Sequence, residues 1–423
     1  MNTKVVNINN TEVHIIKNNN FKASRMEARL ILNMDKKEVP LLELLSNALI
    51  YSSKKYNTRR DFINHKKDLY DTIVTSNTRI DGNRISLNIA LSFLANKYSN
   101  DSLLSEEINF IYEILYNPNI IDDKYDEDTF NGVMINVKAA LESLKEDKSK
   151  YSKLRLIEIL NEDIDDYISP LSKEYLDIVT NTTKEDLASF YKKIIDNAEI
   201  RIVILGDIDI DDTEKLFNKT FNCKQSKLFD IDPIKNYKDN KKIDTRFETD
   251  KSSQSKLNIA CSVSKELTKY EKEVVMQIYN IILGGFANSL FFKNIREKHS
   301  LCYYISSAFS YYDNTLYIRS GITKDNYDKV VELIKKEMKK PVKGDFSNEL
   351  LEDAKNTYIS SLTAALDYPA NIVNNYYDNK VDNISLFKDR IEDIKKVTKE
   401  DVMKVAKDIK INTIFLFGGD SKW

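Results

Sequence analysis

Three features of the 423-residue sequence predict an α+β chain built twice. A helix-opening motif recurs: TKEDLASFYKKI begins at Thr183 and TKEDVMKVAKDI at Thr398, 215 residues later. Each copy is preceded by the same series of strand, helix, hairpin and long helices. Between the two series, residues 223–245 lose all periodicity and become polar, with Pro233 inside, as an interdomain linker does. The predicted division is therefore 1–222, a linker at 223–245, and 246–423. A chain of this length, 42% hydrophobic and 31% charged, has the make-up of two soluble globular domains with full cores.

The elements follow from local pattern. A period-two strand places Met26, Ala28, Leu30 and Leu32 on one face, and its counterpart does the same with Leu257, Ile259, Cys261 and Val263. Helices are expected over 41–51 and over 270–283, where Val274, Val275, Ile278, Ile281 and Ile282 form a stripe that Gly284 and Gly285 stop. In the first half, strands 72–80 and 84–93 flank Asp81-Gly82-Asn83, a hairpin turn; in the second, strands lie near 302–311 and 315–321. Long helical patterns occupy 103–116, 127–161, 325–340 and 346–366. Each repeated TKED opens a helix with a Thr N-cap and acidic first turn, and each leads to an apolar strand, IRIVILGD (200–207) or NTIFLFGGD (412–420). A mainly antiparallel sheet with helices packed on one face is the expected unit.

Several function classes leave no trace. Lys+Arg at 64 against Asp+Glu at 66 gives no net field for nucleic acid or an anionic membrane. No stretch of 18 apolar residues occurs, and the opening MNTKVVNINN lacks the basic-then-apolar layout of a signal peptide, so a cytoplasmic chain is expected. Cys223, Cys261 and Cys302 are too widely spaced for a disulfide framework or a CxxC zinc site and read as reduced core residues. None of the nine glycines forms GxSxG, GxxxxGK[ST] or GxGxxG. The acidic run at 161–166 reads as a solvated loop, His65 as a solvated helix residue, and His299 as a turn residue. Tyr303-Tyr304 and Tyr311-Tyr312 are expected to alternate across a strand, one ring in and one out.

The stretch LGGFANSLFFKNIREKHSLCYY (283–304), supported by ELLEDAKNTYISSLTAAL (349–366), resembles the second domain of the pitrilysin/insulinase family of zinc metallopeptidases, which includes the mitochondrial processing peptidase. The resemblance covers essentially the whole chain and implies two homologous domains of the LuxS/insulinase-like metallohydrolase type. It implies that Arg296 and Tyr303, seven residues apart, orient an extended peptide substrate, the guanidinium on carbonyls or a carboxylate and the phenol beside it. The alternative is that Arg296 pairs with an acidic neighbour on a solvated helix and Tyr303 fills core space; the peptide-contact role is the favoured reading.

The family's catalytic HxxEH, in which two His bind zinc and the Glu activates water, is missing. The only histidines are His14, His65 and His299, and no two lie within a helical turn. Aligning LIYSSKKYNTRRDF (49–62) with the segment that follows the motif puts Leu44 and Ala48 in the His positions and Asn47 in the Glu position. The downstream Glu ligand falls near Ala140, with Glu142 the closest carboxylate. Leu and Ala offer a metal no lone pair, and an amide is a poor base, so no metal site and no cofactor are expected. The reading is a catalytically silent family member. It would bind a peptide or unfolded protein and pair with a zinc-bearing paralogue as a heterodimer, or with itself as a homodimer. Resemblance to non-catalytic members in Gram-positive bacteria adds an association with 5-aminopentanol modification of elongation factor P. A peptidase with an atypical or shared metal site, and a purely structural dimerisation subunit, are the alternatives.

Overall fold

The computed structural model describes residues 2–8, 11–33, 35–82, 84–99, 102–221, 242–252 and 254–419. Cys223, Asn83 and most of the linker lie outside them. The first half runs β1 (Asn2–Ile8), β2 (Thr11–Lys17), β3 (Ala23–Asn33), α1 (Val39–Leu49), α2 (Arg59–Asp68), β4 (Ile73–Asp81), β5 (Arg84–Leu94) and α3 (Leu103–Tyr116). A two-residue strand pair, β6 (Ile120–Ile121) and β7 (Lys124–Tyr125), precedes α4 (Glu127–Ser143), α5 (Lys148–Leu160), α6 (Lys173–Asn181), α7 (Lys184–Asn197), β8 (Glu199–Gly206) and α8 (Ile210–Thr220). The second half contains β9 (Asp244–Glu248), β10 (Ser255–Val263), α9 (Met276–Asn280), β11 (Cys302–Ser310), β12 (Thr315–Ile322), α10 (Tyr327–Lys343), α11 (Asn348–Ala365), α12 (Pro369–Asp382), α13 (Phe387–Lys396), α14 (Lys399–Ala406) and β13 (Ile409–Phe417). No helix among the described residues is long and apolar enough to cross a membrane.

The duplication is visible in the strand order. Five strands of the first sheet run β2-β8-β3-β5-β4, with β1 added outside β2, and the second sheet runs β9-β13-β10-β12-β11. In each the outermost pair, β2 with β8 and β9 with β13, is parallel, and the other three pairings of the shared order are antiparallel. The two TKED helices carry the same capping box. Thr183 and Thr398 each accept the backbone N–H three residues on, and Asp186 and Asp401 reach back to the cap N–H.

By packing, residues 1–143, 166–233 and 369–377 form one compact unit and 144–165, 234–368 and 378–423 the other. The expected division was contiguous along the chain; these units are not. The single helical pattern over 127–161 is two helices, because the chain stops at Ser143 and restarts where Asp147 caps α5, its carboxylate accepting the N–H groups of Ser149 and Lys150. Helix α4 belongs to the first unit and α5 to the second.

In the first unit the apolar stripe of β3, with Ile85, Leu87, Ile89 and Leu91 of β5 and Ile200, Ile202 and Ile204 of β8, packs against α1, α3 and α7. The other sheet face is charged, with Glu27, Arg29 and Glu199 buried and Glu12, Arg25 and Arg201 half-buried. Arg29 pairs with Glu27 at 2.8 Å, Arg25 with Glu27 at 3.1 Å, and Arg201 with Glu12 at 2.9 Å and with Glu199. The start of α12 covers this layer: the Asn374 side chain accepts from Arg29, and Tyr376 Oη lies 3.2 Å from His14 Nδ1.

In the second unit, Leu257, Ile259 and Cys261 of β10 and Leu316 and Ile318 of β12 face the main helical layer. On the opposite face α5 packs Leu156 and Ile159 against Ala260, Tyr317, Phe415 and Phe417. Each unit thus has the expected helical layer on its apolar face, with a further segment on the reverse face.

Candidate functional site

Helix α1 starts with Pro40 in its first turn, where a missing N–H costs nothing, and turns its apolar face inward. Leu44 and Ala48, one turn apart on that face, are 0% exposed and lie in the core of the first unit. Asn47 is half-buried, and its amide donates to the Glu43 carbonyl at 2.9 Å, so it is spent on the helix itself. Ala140 and Glu142 lie near the end of α4, both exposed. These residues do not fit zinc: two metal positions are hydrocarbon in a close-packed core and the third lacks a donor. Among the described residues, no three His, Cys, Asp or Glu side chains come together as a metal site.

Arg296 and Tyr303 are placed differently. The chain enters β11 through a wide helical turn, Phe292–Glu297, in which the Lys298 N–H donates five residues back to the Lys293 carbonyl. Ser300 then takes a left-handed φ of 53° and its N–H donates to the Arg296 carbonyl at 3.0 Å. This geometry leaves the Arg296 side chain exposed, its guanidinium 4.8 Å from the centre of the Phe292 ring. Tyr303 is 60% exposed at a bulge, because Cys302 pairs with Ile322 but Tyr304 pairs with Gly321. The bulge turns Tyr303 outward while Tyr304 lies over Gly321, where a Cβ would come within 2.5 Å of the Tyr304 ring. Strand β11 is the edge of its sheet.

The glycine pair before this segment has a packing role beyond ending a helix. A Cβ on Gly284 would meet the Ser307 backbone nitrogen at 2.9 Å, so the helix end sits directly on β11. The helix expected over 270–283 is present but widens to five-residue turns at Glu271–Val275 and Ile281–Gly285.

Other sequence-level candidates resolve plainly. His65 is not simply solvated: its ring stacks on Tyr56 at 4.0 Å, its Nε2 lies 2.9 Å from Tyr56 Oη, and burial lowers its pKa. His299 is an exposed turn residue. Cys261 is buried in the core, which drives its thiol pKa up, and Cys302 is half-buried; both are free thiols. Tyr311 and Tyr312 fall beyond the end of β11, so strand alternation does not apply; both are half-exposed and their rings meet edge to face at 5.3 Å. Lys153, Lys256 and Arg319 carry no signal in the sequence, because they lie on three separate elements.

Residues 181–358 match the family described as "Peptidase M16 inactive domain". Over 411 residues, 96% of this chain and 95% of the other, the sequence is 25% identical to a Bacillus subtilis (strain 168) protein named "Probable inactive metalloprotease YmfF". A crystal structure of a conserved protein from Enterococcus faecalis V583 is similar over 100% of both chains, with a TM-score of 0.90 and 25% identity. A peptidase M16 inactive domain from Pseudomonas fluorescens shares the fold, with a TM-score of 0.75 and 16% identity over 100% of this chain and 98% of that one.

Proposed function

The chain belongs to the M16 (pitrilysin/insulinase) peptidase family as an inactive metalloprotease homologue, and from that premise we propose that it holds peptide or unfolded protein for a zinc-bearing paralogue with which it pairs in the cytoplasm. The observation that supports this reading most is a contrast within one molecule. Leu44 and Ala48 are sealed in the core, whereas Arg296 and Tyr303 stand exposed at the entry to an edge strand. An exposed guanidinium and phenol at the outer strand of a sheet are the parts that capture of an extended peptide uses. A purely structural role would leave that pair without a task.

The test is reconstitution with the zinc-bearing relative, following cleavage and thermal stability together. Arg296→Ala should weaken peptide binding or partner-dependent cleavage by roughly 1.5–3 kcal/mol, the range for a hydrogen bond to a charged group. Folding should be spared, because Arg296 is exposed. Unchanged cleavage with a large loss of stability would make Arg296 structural and remove the substrate role. A link to elongation factor P is part of the proposal on family resemblance. Intact 5-aminopentanol modification in a strain lacking this chain would remove it.

A further inference from the structure

We propose that Arg319, Lys153 and Lys256 form an anion subsite on the reverse face of the second sheet, which selects acidic peptide segments. The inference deepens the peptide-holding reading and rests on it. Among the described residues, Arg25, Arg29, Arg79, Arg84, Arg201 and Arg246 lie on strands, and each has a carboxylate within 4.0 Å. Arg319 on β12 is the strand arginine that has none. Its directly opposite neighbours are neutral, Asn258 on β10 and Ser306 on β11.

Two lysines stand near it. Lys153, on α5, is close enough for the Arg319 charge to add to the partial loss of water that lowers its pKa. Arg319 is half-buried, and burial lowers its pKa too. Lys256, opposite Gly321 one strand over, donates to Gln254 and sits 5.6 Å from the centre of the Tyr304 ring. Two carboxylates lie within electrostatic reach of the lysines, Asp313 of Lys153 and Asp147 of Lys256, without pairing directly with them: Asp147 caps α5, and Asp313 accepts from Ser310 at 2.9 Å.

A partly dehydrated guanidinium with no carboxylate within 4.0 Å opposes folding, and the first sheet shows that this fold readily supplies acids where it buries arginine. Beside Arg319 the floor is open, since Ser306 and Ala308 on the edge strand are exposed. Carboxylate side chains of an extended peptide would provide the missing counter-charge there, with bidentate geometry available to the guanidinium.

The experiment measures binding of length-matched acidic, neutral and basic labelled peptides to the full chain by fluorescence anisotropy, with melting temperatures in parallel. The acidic peptide should bind about tenfold or more tightly than the neutral one at low salt, and the gap should narrow as salt rises. In the Arg319→Gln/Lys153→Gln double variant the preference should collapse while the melting temperature holds or rises. A wild-type chain that binds acidic and neutral peptides alike overturns the acidic subsite and leaves peptide holding intact. A variant that loses stability and keeps the preference makes Arg319 a structural residue. Failure of every peptide to bind removes both proposals.

Discussion

The guanidinium of Arg29 lies 3.7 Å from the centre of the Tyr377 ring, so a strand near the start of the chain is closed over by an aromatic from a helix some 350 residues later. Arg29 also holds Glu27, which is 5% exposed, and donates to Asn374. Arg29→Ala would leave a buried carboxylate with only Arg25 beside it and should cost about 3 kcal/mol in urea unfolding. Tyr377→Leu removes the ring but keeps the ion pair, and should cost about 1 kcal/mol. Equal losses would mean that packing, and not charge pairing, governs this layer.

Glu107 on α3 is fully buried, and burial raises its pKa to about 8. Its carboxyl contacts Thr72 Oγ1, which also lies 3.1 Å from the Leu69 carbonyl. A single hydroxyl proton cannot serve both acceptors, so a protonated Glu107 donating to Thr72, which donates to Leu69, completes the chain. The folded pKa lies above that of the unfolded chain, so the stability is fully present below the ordinary value of 4.5 and is lost as pH rises through about 8. Glu107→Gln should therefore flatten the decline in melting temperature over that window. An unchanged pH profile would show that Glu107 is ionised in the fold.

Restoring the family's metal residues should not restore a metal site. Leu44→His, Asn47→Glu and Ala48→His together place two imidazoles where side chains are 0% exposed, and Ala140 supplies no third donor. Each uncompensated buried polar group costs about 1–3 kcal/mol, so the triple variant should melt earlier and hold no stoichiometric zinc by elemental analysis. One tightly bound zinc per chain would refute this.

The two adjacent glycines should respond differently to alanine. At Gly284 a methyl would press on the Ser307 backbone at 2.9 Å and on the Phe291 ring at 2.8 Å, whereas at Gly285 the nearest atom is a side-chain carbon of Ile281 at 3.2 Å. Gly284→Ala should lose about 1–3 kcal/mol by overpacking, and Gly285→Ala much less. Similar denaturant midpoints for the two variants would show that the helix end can move off β11.

Much of this was legible in the residues themselves. The TKED caps and the period-two strands depend on neighbours in sequence, and α7, α14, β3 and β10 follow from them. Features fixed by strand register were not. Arg25, Glu27 and Arg29 alternate with the apolar face of β3, and nothing in their local pattern shows that α12 closes over Arg29 or that they satisfy one another. The isolation of Arg319 emerges only when β10 and β11 bring Asn258 and Ser306, rather than acids, to its sides. The break between α4 and α5 turned on one capping carboxylate, Asp147, in a stretch whose helical periodicity continues past it.

The assignment of residues 144–165 to the second compact unit and 369–377 to the first bears on how the protein is made and taken apart. A ribosome that has released only the first half has not yet supplied the roof over Arg29 and His14, and a gene cut within 223–245 would encode two fragments, each missing a piece of its own interior. Such fragments should be poor solitary folders but good complementing partners, regaining structure when mixed. Unfolding of the intact chain should accordingly be one cooperative event rather than two.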